Sequence, residues 1–226
     1  MSSSGFTCHA SITEEVDSLW QQALAAHGNK PFDGEVLCTK NVSGDTTECF
    51  RVPYRLFYAQ RLSNRIMRAL NLRLLAVSGL IVYKDRVVLG KRSTKVTQYP
   101  GFWELPPSGS IDAPLVAGGI DYRKQLADEL LEELGVEVQN ITSIEPFALV
   151  FDTAESTYDI CCRINIDDSK QVEFHSSEEY SQVESIEIAK LPDFIAAHDQ
   201  ELVPISKTIL INLCSISGAG QKSNRK

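Results

Sequence analysis

The chain has 226 residues, 43% of them apolar and 23% charged, with a formal net charge of −8. That length and composition suit a globular protein of one large domain, or of one domain with a sizeable extension. No apolar run reaches the roughly 18–20 residues that span a bilayer, and an acidic chain lacks the electrostatic pull behind most duplex nucleic-acid binding.

The amino terminus has neither the positive cluster nor the apolar core of a signal peptide, so a soluble, cytoplasmic protein with no membrane or duplex partner is expected. The six cysteines are Cys8, Cys38, Cys49, Cys161, Cys162 and Cys214. None forms a C-x-x-C pair, and adjacent Cys161 and Cys162 are a poor geometry for a disulfide. Reduced, packed thiols are expected, and no zinc site.

In chain order, Ser11-Ile-Thr-Glu14 offers a capping box for a first helix whose apolar face is Val16, Leu19, Trp20, Ala23 and Leu24, with Gly28 as its C-terminal glycine. Residues 32–40 and 47–52 read as strands around a turn at Ser43-Gly-Asp45. Residues 54–70 are helical in pattern, with a break allowed at Ser63-Asn64. A second region starts near Leu72. Residues 74–83 and 86–90 form a hairpin around Lys84-Asp85, followed by a Pro- and Gly-rich loop over 93–121. Loops longer than about 12–15 residues in a compact domain are often functional. Residues 122–134 form a strong helix ending at Gly135, followed by strands at 136–151, 158–166 and 182–188 and a helix at 204–215. Strands interleaved with helices predict an α/β or α+β sandwich. The organisation expected is an extension over 1–71, a main domain over 72–217, and a small, polar, disordered tail over 218–226.

The chemistry is carried by Glu129-Leu-Leu-Glu-Glu-Leu-Gly-Val136. On a helix, Glu129, Glu132 and Glu133 share a face. Three carboxylates there repel unless a cation neutralises them, and a cluster of hard oxygen ligands suits Mg²⁺ shared with substrate phosphates. Glutamate is also a good helix former, so the pattern alone fits a solvated acidic face as well.

Upstream lies Gly101-Phe-Trp-Glu-Leu-Pro-Pro-Ser-Gly-Ser-Ile-Asp112, and with it residues 72–190 resemble the Nudix hydrolases. That family's signature is G-x5-E-x7-R-E-U-x-E-E-x-G-U, where U is a bulky apolar residue. Glu129 to Val136 matches every fixed position, Leu105-Pro-Pro-Ser-Gly109 looks like the preceding turn with Gly109 as the signature glycine, and Arg92 is similar to the basic residue that often ends the family's preceding strand. The match departs in three ways. Glu129 follows Gly109 by 20 positions instead of 15, through extra residues around Pro114-Leu-Val-Ala-Gly-Gly119. The signature's first Glu has no counterpart. Its Arg is replaced by Asp128, which Lys124 can pair across one helical turn.

The resemblance implies a Nudix-like αβα sandwich with a mixed sheet, plus a small N-terminal α/β extension. It implies Glu129, Glu132 and Glu133 as catalytic metal ligands for Mg²⁺, or Mn²⁺ in its place. Arg92, Glu104 and Gly109 are implied at the substrate, and Glu133, Glu173, Glu178 or Glu179 as general base. Lys91 is read either at phosphate or as a solvated strand end, and Tyr99, Phe102 and Trp103 either stack on a base or pack in the core.

The N-terminal region, with Phe32-Asp-Gly34 and Tyr54-Arg55, is vaguely similar to the extension of members acting on UDP-glucose and UDP-galactose. Arg51, Arg55 or Arg61 would then face the ligand; a scaffold or homodimer-forming role stays open. The expected activity is hydrolysis of the diphosphate of a nucleoside diphosphate linked to another moiety, a UDP-sugar or ADP-ribose, to a nucleoside monophosphate and a phosphorylated product. The alternatives are a Nudix-fold nucleotide-binding module without hydrolysis, and an unrelated interaction protein.

Overall fold

In the computed structural model of the chain, residues 9–26, 33–44, 46–111 and 119–223 are described, the last few as backbone only. Cys8, Gly28, Phe32, Asp45 and the extra loop residues 114–118 lie outside that set. The chain forms two compact units. The first is Met1–Ala76 with Ser110–Ile120 and Phe151–Asp159; the second is Val77–Gly109, Asp121–Val150 and Ile160–Lys226. The fold is α+β with a mixed sheet.

In the first unit, helix α1 (Ala10–Ala26) buries Ile12, Val16, Trp20 and Ala23, the face expected from the spacing of its apolar residues. Its start differs from the capping box. The His9 carbonyl accepts from the Ile12 and Thr13 N–H groups, and Ser11 Oγ instead lies 3.0 Å from both His9 Nδ1 and Arg65 Nη2. Strands β1 (Glu35–Ser43) and β2 (Thr46–Pro53) form the expected antiparallel hairpin, with a bulge between Thr39 and Asn41. The helical stretch beyond does break. Helix α2 (Tyr54–Leu62) ends at Ser63, whose extended backbone (φ −132, ψ 116) lets its hydroxyl accept from Ile66 N–H and cap α3 (Asn64–Leu70).

Val16, Val36, Phe57, Ile66 and Leu72 share the core, with Trp20 edge-on to Tyr58 at 5.6 Å. Gln60 is buried because its amide stands in for a strand partner: it donates to the Leu72 carbonyl and accepts from Leu72 N–H, both at 2.7 Å. The three arginines offered to a ligand are each beside a carboxylate. Arg55 pairs with Asp33, Arg61 with Glu155 at 2.7 Å, and Arg51 lies 4.0 Å from Glu35.

Strand β3 (Leu74–Tyr83) enters the second unit and is buried along its whole length, which explains why it is apolar but for Ser78 and Gly79. It turns at Lys84 (φ 57) into β4 (Arg86–Arg92). The loop expected over 93–121 contains two short strands, β5 (Trp103–Glu104) and β6 (Ser108–Ser110), pairing β4 and β3. Two or three residues are too few for a side-chain period to show in sequence.

Helix α4 (Tyr122–Leu134) is capped by the Asp121 carboxylate and ends at Gly135 in the left-handed region (φ 72), where glycine is unstrained. Strands β7 (Ile141–Asp152), β8 (Thr157–Ile166) and β9 (Tyr180–Glu187) follow. Helix α5 (Leu191–Ala197) is not among the expected elements, although Pro192 and Asp193 in its first turn suit a helix start. Helix α6 (Pro204–Ser223) runs past the expected end at Ser215 into the segment read as a tail. The core joins Leu80, Val87, Leu89, Trp103, Leu105, Leu191 and Leu210. Among the described residues no helix is long and apolar enough to cross a membrane.

Candidate active site

The acidic face of α4 lies over the Pro106-Pro107-Ser108-Gly109 turn. The Gly79 N–H donates to the Pro107 carbonyl at 2.8 Å, which fixes the turn to the middle of β3. The helix then delivers its glutamates at three depths. Glu133 is buried, and the Ser108 N–H reaches both its carboxylate oxygens at 3.3 Å. Glu129 is half-buried, with its carboxyl group against Gly109: a Cβ at that position would lie 2.7 Å from Glu129 Cδ. Glu132 is exposed. Helical spacing therefore aims Glu129 and Glu133 at the turn and leaves Glu132 at the solvent edge. Among the described residues, no three His, Cys, Asp or Glu side chains stand close enough together to hold a metal ion.

Arg92 and Glu104 form a second layer beneath. The Arg92 guanidinium is buried and its donors are engaged: Nη1 pairs with Glu104, Nη2 with Glu179 at 3.1 Å, and Nε donates to the Gln98 carbonyl at 2.9 Å. Glu104 also accepts from Tyr180 Oη at 2.7 Å, and Tyr180 is fully buried across the bare backbone of Gly90. β4, β5 and the start of β9 are thus joined by one polar chain, Tyr180–Glu104–Arg92–Glu179.

The electrostatics follow from that arrangement. Burial pushes the Glu133 carboxyl well above the ordinary carboxylate range, and the negative charges of Glu179, Glu104 and Glu129 push the same way; the Ser108 N–H opposes them weakly. Burial also raises Glu104, with Arg92 and the Tyr180 hydroxyl pulling back. Glu104, Glu129, Glu133 and Glu179 bring four carboxyl groups together, with the Arg92 guanidinium paired to Glu104 and Glu179. This oxygen-rich donor set and the Gly109 cradle fit a divalent cation at Glu129 and Glu133.

Of the remaining expected residues, Glu179 joins the site through Arg92, whereas Glu173 and Glu178 are exposed. Lys91 extends over the Trp103 ring at 5.5 Å, with Glu201 4.0 Å away. Trp103 is a core residue, 5.3 Å from Phe194 and 5.7 Å from His198. Tyr99 and Phe102 are half-buried neighbours, 5.6 Å apart. Asp128 pairs with Lys124 at 2.5 Å on the outer face of α4, as its spacing predicts. Sequence reasoning missed Ser108, Tyr180 and Gln125, whose amide donates to Glu129 Oε1 at 2.9 Å. The i,i+4 spacing of an amide to Glu129 was the available signal for Gln125. Ser108 acts through its backbone, which no residue type betrays.

No protein-family profile matches the chain, and no curated protein matches it by sequence. Solved structures do. Tm1382, a protein assigned to the Nudix hydrolases, superposes with a TM-score of 0.55 at 15% identity, covering 87% of this chain and 96% of its own. A MutT Nudix hydrolase from Burkholderia pseudomallei gives 0.45 at 19% identity, over 61% and 95% of the two chains. A bifunctional NMN adenylyltransferase/ADP-ribose pyrophosphatase from Francisella tularensis, complexed with AMP and a manganese ion, gives 0.46 at 17%, over 63% and 42%. The match to Tm1382, which spans nearly the whole of both molecules, shows that this chain has the Nudix hydrolase fold.

Proposed function

We propose that the chain is a metal-dependent hydrolase cleaving the diphosphate of a nucleoside diphosphate linked to a further group, a UDP-sugar or ADP-ribose. The observation that carries this reading is the buried Glu133 carboxyl, held at the Ser108–Gly109 turn among Glu129, Glu104 and Glu179. A buried carboxylate cluster of this kind costs stability unless a cation completes it.

Glu129 and Glu133 would hold Mg²⁺ or Mn²⁺, with Glu132 reaching in from the rim. A cation bound there screens phosphate oxygens and makes water a better nucleophile. The protein's own groups do the rest. The Ser108 N–H fixes Glu133, the Gly109 backbone leaves room for Glu129, and Arg92 holds Glu179 beside the cluster. Glu179 is the loop acid best placed to take the proton from water. The water oxygen then bonds to phosphorus, the bridging P–O bond breaks, and the leaving phosphate takes the electron pair. Arg92, with its donors engaged, serves as a strut for Glu104 and Glu179 rather than as a phosphate ligand.

The exposed position of Glu132 favours a second reading, a nucleotide-binding module without turnover. The test is nucleotide or phosphate release from UDP-glucose, UDP-galactose, ADP-ribose, dinucleoside polyphosphates and nucleoside triphosphates, with Mg²⁺ or EDTA, and with Glu133→Gln as control. Mg²⁺-dependent turnover lost in that variant supports the hydrolase. Nucleotide binding without turnover supports the module, and neither binding nor turnover refutes both.

A further inference from the structure

The helix carrying the acidic face contains one buried polar side chain, among those described, that the proposed reaction does not use. Gln125 is buried, at 9% exposure, on the side of α4 that carries Glu129 one turn on. A glutamine there loses hydration at its amide and must recover it from a partner. Its Nε2 donates to Glu129 Oε1 at 2.9 Å, one helical turn on. The same carboxyl group lies against Gly109. Glu129 is therefore held from two sides: its position is bounded by the bare turn backbone and its rotation by the Gln125 amide.

We infer that Gln125 is a positioning residue for Glu129, its amide fixing the rotation of the carboxylate at the Ser108–Gly109 turn where a divalent cation would be held. This rests on the reading of Glu129 as a metal ligand. A neutral donor suits the task better than a charged one. A lysine or arginine at position 125 would neutralise Glu129 and compete with the cation, whereas an amide orients the carboxylate without cancelling its charge. The Lys124–Asp128 pair does not do the same work, being exposed and paired within itself.

The test uses the full chain stripped of metal, titrated with Mn²⁺ by calorimetry, for the parent, Gln125→Leu, Gln125→Lys, Glu129→Gln and the Gln125→Leu/Glu129→Gln pair. Removing a residue that orients a ligand weakens metal affinity by about 10–100-fold. Gln125→Leu should raise the Mn²⁺ Kd within that range while keeping the parent's circular dichroism and cooperative melting. Gln125→Lys should weaken binding further. In the Glu129→Gln background, Gln125→Leu should have no further effect, because its influence passes through that carboxylate. A Kd within twofold of the parent for Gln125→Leu, or an undiminished effect in the Glu129→Gln background, overturns the assignment. Unchanged Mn²⁺ affinity in Glu129→Gln itself overturns instead the reading of Glu129 as a ligand.

Discussion

Gly109→Ala separates catalysis from stability. A Cβ at this position falls 2.7 Å from Glu129 Cδ, against about 3.5–4.0 Å for an ordinary carbon contact. The Glu129 carboxyl must therefore retreat by roughly 1 Å, and as the end of a flexible side chain it can. The strain of an off-rotamer side chain costs about 0.5–1.5 kcal/mol. The backbone of Gly109 lies outside the left-handed region, so alanine also restricts the unfolded chain and returns about 0.4–1 kcal/mol. The net change in stability should stay within about 1 kcal/mol, or roughly 2–4 °C in melting temperature. A displacement of about 1 Å at a catalytic ligand can cost on the order of 100-fold in rate. The assay is kcat/KM on the best substrate of the panel, with Mn²⁺ affinity and a thermal melt on the same preparation. Gly79→Ala is the contrasting control. Its Cβ would meet Pro107 Cδ at 2.6 Å and the Pro106 carbonyl at 3.2 Å, where backbone has to move, so it should lose stability first. Unaltered turnover in Gly109→Ala, or a melting temperature that falls as far as in Gly79→Ala, would refute the reasoning.

Glu133→Gln should melt higher than the parent in EDTA, although it loses turnover. The Glu133 carboxyl is raised in the folded state, so its contribution is present at low pH and lost as pH rises through the raised value; the gain from glutamine should be larger at pH 8 than at pH 5. Glu104→Ala takes from the buried Arg92 one of its two carboxylate partners, leaving Glu179, and should cost up to about 3–5 kcal/mol. Combining it with Arg92→Met should recover most of that loss in urea unfolding, and no recovery would deny the pair its charge-coupled role. Burial pushes the Cys38 thiol up to about 12. Stability should therefore decline as pH climbs from the unfolded thiol's value of about 8.5, losing about 1–2 kcal/mol by pH 10. Cys38→Val should flatten that slope, and Cys38 should resist iodoacetamide at pH 8 until the protein is denatured.

The elements written most plainly in the sequence are those that bury a periodic face. The stripes of α1 and α4, the largely apolar run of β3 and the terminal Gly135 all follow from spacing and residue type. The short strands β5 and β6 do not, because two residues carry no period and their pairing is set by β4 and β3. The start of α1 misled because the His9 carbonyl competes with Ser11 for the first free N–H groups. At the site, the shared helical face of Glu129, Glu132 and Glu133 conceals their unequal depths, which depend on where the Ser108–Gly109 turn approaches. Arg92 and Glu104 could be named as belonging to the site, but sequence does not show that they belong to each other. Their contact joins β4 to β5, and Glu179 reaches it from 87 positions away.

The Arg92–Glu104 pair also constrains how this chain can change over generations. Either residue replaced alone breaks a buried charge pair that Glu179 and the Tyr180 hydroxyl make good only in part, so each single step is a descent, while the two steps together are nearly level. Tyr180 tightens the constraint, since its hydroxyl depends on Glu104 and its ring on the missing side chain of Gly90. Gly90, Arg92, Glu104 and the distant Tyr180 are therefore expected to vary as a bloc or not at all. Drift should instead collect on the outer face of α4, where Lys124 and Asp128 can be exchanged at little cost.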